Sequence, residues 1–304
     1  MTIMKGPLVS IRLMTFNHGQ YISQAIEGVL IQKTNFDYEI VVGDDFSTDD
    51  TLAIVEKYAE LYPSKIRILV RQKGDAYDIE RQQKGRLFNF IDILNNCTGK
   101  YIALLDGDDY WTDPLKLQKQ VDFLEANEEY TICGTYCDVL RPTGLEKRVN
   151  LQFETFDHYD IISNNQIPSL TMCFHRDLIK QTDFSGYPIG DIVILLEVTK
   201  NGGLGAKLSF NSGVYRYHGR GANSGNSRST NTVSQYFVKC LYLSRNKDHK
   251  FAKVFRKYLI ENILKEVKLL LKFNFKLFEL RIIKVSLKYF FKTLRNKCSQ
   301  TLNK

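Results

Sequence analysis

Gly99-Lys100-Tyr101-Ile102-Ala103-Leu104-Leu105-Asp106-Gly107-Asp108-Asp109-Tyr110-Trp111 runs an apolar strand, Tyr101 to Leu105, directly into a cluster of carboxylates. The same order of strand and acidic turn occurs earlier, where Glu39 to Gly43 leads into Asp44-Asp45-Phe46-Ser47-Thr48-Asp49-Asp50. Upstream, Leu8 to Met14 is a short apolar stretch that ends in Thr15-Phe16-Asn17-His18-Gly19. Between these strands the period changes to that of a helix. Ile22, Ala25, Ile26, Val29 and Leu30 mark Tyr21 to Gln32, and an amphipathic run from Leu52 to Tyr62 is closed by Pro63. Ile66 to Val70 predicts a third strand, and the polar stretch from Arg71 to Lys84 predicts no element. Leu87 to Leu94 and Pro114 to Glu125 predict further helices. Strands alternating with helices predict an α/β fold, a mainly parallel sheet flanked by helices on both faces. Ligands of such sheets bind beyond the carboxyl ends of the strands, where the polar loops converge.

At 304 residues the chain is long enough for one large domain with an appendage or for two modest domains. Its net charge of +8 is unevenly spread. Residues 236–304 hold 18 Lys and Arg against 4 Asp and Glu, leaving 24 against 30 in residues 1–235. An acidic body therefore carries a basic tail. Cys97, Cys133, Cys137, Cys173, Cys240 and Cys298 are too few and too scattered for a disulfide framework, which suggests a reducing compartment. Cys133 and Cys137 have no second Cys or His pair at ligand spacing, so burial as small apolar residues is expected. No signal peptide and no membrane-spanning helix is indicated.

The strand-end aspartates offer a specific chemistry. Mg²⁺ or Mn²⁺ takes carboxylate oxygens while leaving positions open for phosphate, and Gly107 lets the backbone approach closely. Asp49, Asp50 and Asp113 read as ordinary caps and turns.

Three segments in order, Val9-Ser10-Ile11 to Thr15-Phe16-Asn17-His18, Glu39 to Asp49 and Gly99 to Trp111, resemble the family 2 glycosyltransferases. The likeness continues through Asp113 to Val121 and resumes at Gly190-Asp191 and at Tyr215-Arg216-Tyr217-His218. It implies a GT-A type fold, a Rossmann-like nucleotide-binding half continuous with an acceptor half, in residues 1–230. The halves would divide near residues 125 and 126, and residues 231–304 would form a basic, helical C-terminal extension.

The resemblance also implies roles. Thr15, Phe16 and Asn17 would lie beside the nucleotide, Asp45 would accept a hydrogen bond from the base, and Asp106 would hold the ribose or assist the metal. Asp108 would ligate the Mg²⁺ or Mn²⁺ directly, His218 would join it, and Arg86 would contact the diphosphate. The segment before Arg86 departs from the family pattern, so Arg81 competes for that role. Asp191, ahead of a helix at Ile192 to Thr199, would be the general base that activates an acceptor hydroxyl, leading to inversion at the sugar carbon. Its plain alternative is helix capping. The Gly-, Asn- and Ser-rich stretch from Gly219 to Ser229 reads as a loop over the donor, and His175 reads as structural. Tyr110 and Trp111 read either as sugar stackers or as packing.

In the tail, Lys265, Lys268, Lys272 and Lys276, and then Arg281, Lys284, Lys288, Lys292 and Arg295, recur within each run at three- and four-residue spacing among Leu, Ile, Val and Phe. Basic amphipathic helices of this kind favour peripheral contact with an anionic membrane, here the inner face bounding the cytoplasm, or packing on the catalytic body. The expected partners are a nucleotide-sugar donor, with UDP as the expected nucleotide, and a glycan or lipid-linked glycan acceptor. Two rival classes stand beside this. A non-catalytic sugar- or nucleotide-binding relative would have lost turnover. A nucleic-acid-binding protein using the tail would leave the aspartates unexplained, and the acidic body would repel a polyanion, so no nucleic acid is expected.

Overall fold

The computed structural model describes residues 6–163, 167–219 and 228–258. In chain order its elements are β1 (Val9–Thr15), α1 (Ile22–Leu30), β2 (Tyr38–Asp44), α2 (Thr51–Leu61), β3 (Ile66–Ile68), α3 (Ala76–Lys84) and α4 (Leu87–Asn96). These are followed by β4 (Tyr101–Asp106), β5 (Tyr110–Trp111), α5 (Lys116–Ala126), β6 (Tyr130–Arg141), β7 (Gly144–Glu146), β8 (Glu154–Phe156) and α6 (Asp160–Ser163). Last come β9 (Cys173–His175), α7 (Asp191–Thr199), β10 (Leu204–Arg216) and α8 (Arg228–Asn246).

The chain divides into two compact units, Met1–Gly186 with Ile194–His218, and Tyr187–Val193 with Gly219–Lys304. The first holds one sheet in the order β3-β2-β1-β4-β9-β6-β10-β5, with β7 added on β6 and β8 on β10. β3, β2, β1 and β4 are mutually parallel. β9 then runs antiparallel to both β4 and β6, and β6 pairs with β10 in parallel.

Alternation along the strands decides which side chain meets which layer. Val9, Ile11 and Leu13 of β1, Tyr38, Ile40 and Val42 of β2, and Tyr101, Ala103 and Leu105 of β4 join Ile22, Ala25, Ile26 and Val29 of α1 in one apolar core. The intervening residues point the other way, where Phe90, Ile93 and Leu94 of α4 are buried. Gly43 admits α4 to that face, since a Cβ there would stand 2.4 Å from Ile93.

The polar stretch from Arg71 to Lys84 departs from expectation by containing α3. Its signals are local: Asp75 accepts the N–H of Asp78 at the helix start, and Gly85 closes it at φ 78°. Arg71, 4% exposed, holds this region by donating to the Asp44 carbonyl, to Asn89 Oδ1 and to Asp92, with its guanidinium 3.7 Å from the Tyr77 ring centroid.

Cys97, Cys133, Cys137, Cys173 and Cys240 are buried free thiols. Burial pushes Cys97, Cys137 and Cys173 up to about 12, which makes them poor nucleophiles. In the second unit, Tyr242 of α8 packs on Phe251, with ring centroids 5.6 Å apart. Among the described residues no helix is long and apolar enough to cross a membrane. The basic positions from Lys265 to Arg295, and most of the Gly219–Ser229 stretch, lie outside the described residues.

Candidate functional site

The register of the parallel strands fixes the site. Thr15 pairs with Asp44 across β1–β2, and Met14 pairs with Asp106 across β1–β4, so three neighbouring strands end together and their loops open on one edge. Two of those loops are tied to each other. The N–H of Asn17 donates to Ser47 Oγ at 2.8 Å, and Asn17 Oδ1 accepts the N–H of Thr48 at 2.7 Å. Asp44 is used internally, accepting both the N–H and the hydroxyl of Ser47. Each loop holds one non-glycine residue in the left-handed region, Asn17 at φ 53° and Phe46 at φ 64°. Phe16 is half exposed at the tip of the first loop.

Asp45 turns toward α3. Arg81 reaches both of its carboxylate oxygens through Nε at 2.9 Å and one through Nη2 at 2.8 Å, and the Tyr77 hydroxyl donates to Oδ1 at 3.0 Å. Hydrogen bonding to Asp45 holds Arg81 above its usual value. Arg81, rather than Arg86, therefore stands against an expected nucleotide-binding carboxylate. Arg86 occupies the N-cap position of α4.

Asp106 points to the face of α4 and meets Arg12, a cation only 1% exposed, at 2.8 Å. The Arg12 guanidinium also lies 4.6 Å from the Phe90 ring centroid. A buried arginine in the middle of β1 escapes sequence reading because its partner is distant along the chain. The signal was a charge at an inward position of an otherwise apolar strand.

Asp108 is where separate parts of the fold meet. β5 follows the carboxylates directly and pairs antiparallel with β10, Val214 opposite Tyr110 and Gly213 opposite Trp111. Continuing that register brings Arg216 alongside Asp108. The Arg216 N–H donates to Asp109 Oδ1 at 2.7 Å, its guanidinium bonds the Asp108 carbonyl, and the rings of Tyr21 and Tyr110 lie 4.5 and 4.9 Å away. His218 then reaches Asp108 Oδ2 with Nε2 at 2.9 Å, and His18 approaches the same oxygen at 3.8 Å. Burial alone would raise the Asp108 carboxyl, but the His218 hydrogen bond and the nearby His18 outweigh it and hold it below the usual carboxylate range. Asp109 behaves oppositely, since burial and then the charge of Asp108 push it well above that range.

Asp108 offers a carboxylate oxygen and His218 an imidazole nitrogen, two groups that could turn to a divalent cation and that here hydrogen-bond to each other at 2.9 Å. Two buried polar atoms, Thr15 Oγ1 and His18 Nδ1, find no hydrogen-bond partner among the described residues and lie beside Gly107, where a Cβ would stand 2.8 and 2.9 Å from them. Among the described residues no three acidic, His or Cys side chains already stand at metal-holding spacing, and Asp106 is engaged by Arg12.

Asp191 belongs to the second unit, where it opens α7 and its Oδ1 accepts the N–H of Ile192 at 2.7 Å. Trp111 is packing: its indole is 2% exposed and donates to the Leu170 carbonyl at 2.7 Å. His175 packs at a tilt against Tyr101, with ring centroids 4.7 Å apart, and burial lowers its imidazole below the usual value.

The sequence profile described as Glycosyl transferase family 2 matches residues 10–184. An uncharacterized protein of Mycobacterium tuberculosis is 42% identical over 125 residues, 41% of this chain and 34% of that protein, so the match spans about a third of its length. The putative glycosyltransferase EpsE of Bacillus subtilis is 35% identical over 131 residues, 43% of each chain. Among solved structures, TarS of S. aureus in complex with UDP-GlcNAc aligns with a TM-score of 0.60 at 19% identity, over 84% of this chain and 72% of that one. The mannosyltransferase PcManGT from Pyrobaculum calidifontis, in complex with GDP-Man and Mn²⁺, aligns at 0.52 and 14% identity, over 95% and 88%. At these identities the likeness to both structures is one of fold.

Proposed function

The chain belongs to glycosyltransferase family 2, and from that premise we propose that it moves a sugar from a UDP-sugar to an acceptor hydroxyl, with inversion, in the assembly of a surface polysaccharide or related glycoconjugate. The observation that carries this reading is the meeting of Asp108 with His218 and His18 at the carboxyl end of β4. The complexes of TarS with UDP-GlcNAc and of PcManGT with GDP-Man and Mn²⁺ support a nucleotide-sugar site on this fold.

In this reading the loops after β1 and β2 hold the nucleoside, with Thr15, Phe16 and Asn17 on one side and Asp45 accepting a hydrogen bond from the base. Because Arg81 and Tyr77 already occupy the Asp45 carboxylate, base binding shares or displaces one of their bonds. Asp106 orients the ribose, Arg86 meets the diphosphate, and Asp108 with His218 and Asp106 would hold the Mg²⁺ or Mn²⁺. When bound, that cation neutralises the diphosphate charge that grows as the sugar bond breaks. Asp191 takes the proton of the acceptor hydroxyl, making the oxygen a competent nucleophile. The one-sided charge of residues 236–304 supports peripheral contact with an anionic membrane, where a lipid-linked acceptor would be presented.

Calorimetric titration of UDP with and without Mn²⁺ tests the reading, with Asp108→Ala in parallel. The expected result is Mn²⁺-dependent binding that the variant loses, followed by an Asp191→Ala variant that keeps UDP binding and loses sugar transfer. Failure of every common nucleoside diphosphate to bind overturns it.

A further inference from the structure

Phe46 stands in a backbone conformation that a bulky side chain rarely adopts. Its φ is 64°, in the left-handed region where glycine and asparagine are at home and an aromatic residue is a genuine outlier. The turn around it does not demand an aromatic ring. It is closed by the Asp44 carboxylate, which accepts from Ser47, and by Asn17, which accepts the Thr48 N–H, and neither bond uses the Phe46 side chain. A glycine would satisfy the same turn at lower cost. Strain kept where a smaller residue would serve points to a use for the side chain.

The ring's surroundings say what that use is. It is partly exposed, it directly follows Asp45, and it meets the Tyr77 ring edge-on at 5.8 Å. Lys73, largely in solvent, holds its ammonium over the ring at 3.6 Å from the centroid while pairing with Asp78 at 3.6 Å. The loop is cross-linked to the β1 loop, which carries the exposed Phe16, so both aromatic tips are held by one hydrogen-bonded frame. An aromatic ring beside a carboxylate acceptor, with a cation on its face, is chemistry that recognises a nucleobase once the ammonium gives up that face: the ring stacks, the carboxylate takes an N–H in place of one from Arg81 or Tyr77, and the freed ammonium faces phosphate charge.

We propose that Phe46 is a base-stacking, specificity-determining residue that holds the nucleoside end of a nucleoside diphosphate against Asp45, with Lys73 as its cationic partner. The proposal rests on the donor-site reading above and adds a residue to it.

Calorimetry in Mg²⁺ buffer compares UDP with inorganic pyrophosphate, which has the charge and no base, in the unaltered chain, Phe46→Leu and Phe46→Trp. Phe46→Leu is expected to weaken UDP binding by about 5–150-fold, the span of a lost base–aromatic stack. It should leave pyrophosphate binding within about twofold, while Phe46→Trp keeps UDP binding because it keeps a π face. Equal UDP binding by Phe46→Leu overturns the inference, and so does a parallel loss of UDP and pyrophosphate, which marks a role in loop shape alone. If the unaltered chain binds neither UDP nor any other nucleoside diphosphate, the donor-site reading falls and takes this inference with it.

Discussion

His218 Nε2 lies 2.9 Å from Asp108 Oδ2, although 110 positions separate the two residues. The β5–β10 pairing makes the meeting possible, and the proposed cation site needs both partners. Truncating His218 to Ala leaves the Asp108 carboxylate facing the more distant His18, at 3.8 Å. The Mn²⁺ concentration that half-saturates UDP binding is expected to rise by at least about tenfold in this variant. An unchanged value would remove His218 from the cation site.

Asp106 and Asp108 differ in what they do for the fold. Asp106 neutralises a guanidinium that is 1% exposed, so Asp106→Asn leaves Arg12 as an uncompensated buried charge. Urea unfolding of that variant is expected to show a loss of about 2–4 kcal/mol. Asp108→Asn loses the charged bond to His218 but also removes a charge that presses on the buried Asp109, and its stability is expected to fall by less than that of Asp106→Asn. If the two variants lose stability equally, the division of labour is wrong.

Gly107 is confined by its neighbours. A methyl group there would stand 2.8 Å from Thr15 Oγ1 and 2.9 Å from both His18 Nδ1 and Ile22 Cδ1. Gly107→Ala is expected to cost about 1–3 kcal/mol through overpacking and to disturb the loop that presents Asp108. Thermal unfolding measures the first effect and UDP titration the second.

Lys116 is fully buried, donates to Gln120 Oε1 at 2.6 Å and lies 3.9 Å from the Trp111 ring centroid. Burial lowers its ammonium to about 8 from the ordinary 10.5. Below pH 8 both folded and unfolded chains carry the charge, and the folded chain bears its full burial cost. Between pH 8 and 10.5 the folded chain has released a proton that the unfolded chain still binds, so this group adds stability as pH rises. Lys116→Met lacks that gain. The difference in unfolding free energy between the unaltered chain and the variant is expected to move toward the unaltered chain by about 1 kcal/mol per pH unit across pH 8–10. A difference that stays flat would show that Lys116 titrates normally.

What could be read without coordinates follows from the range of each signal. β1, β2 and β4 were legible because apolar runs end in polar turns, and α1 because its buried residues recur at helical spacing. α3 was hidden by its polar composition, although Asp75 and Gly85 mark both of its ends. The carboxylates Asp45, Asp106 and Asp108 stood out as residues, and the family resemblance set His218 beside Asp108, but the pairing of Arg81 with Asp45 and of Arg12 with Asp106 did not. Arg81, Arg12 and His218 reach them from other elements, and only pairing register and helix placement decide such meetings. The left-handed Phe46 was invisible for another reason, since sequence supplies residue types and not the backbone angle each must adopt.

β9 is three residues long, yet it stands between β4 and β6 in the sheet. Everything on one side of it, β3, β2, β1 and β4, comes from a single continuous stretch ending at Asp106. During synthesis from the N-terminus, that half has all its strands and their loops before β9 leaves the ribosome. The aspartates are thus synthesised before Cys173–His175, the strand that covers the β4 edge of the finished sheet. His218, arriving after β10, is the last ring to reach Asp108, so the order of birth along the polypeptide separates the scaffold of the site from its completion.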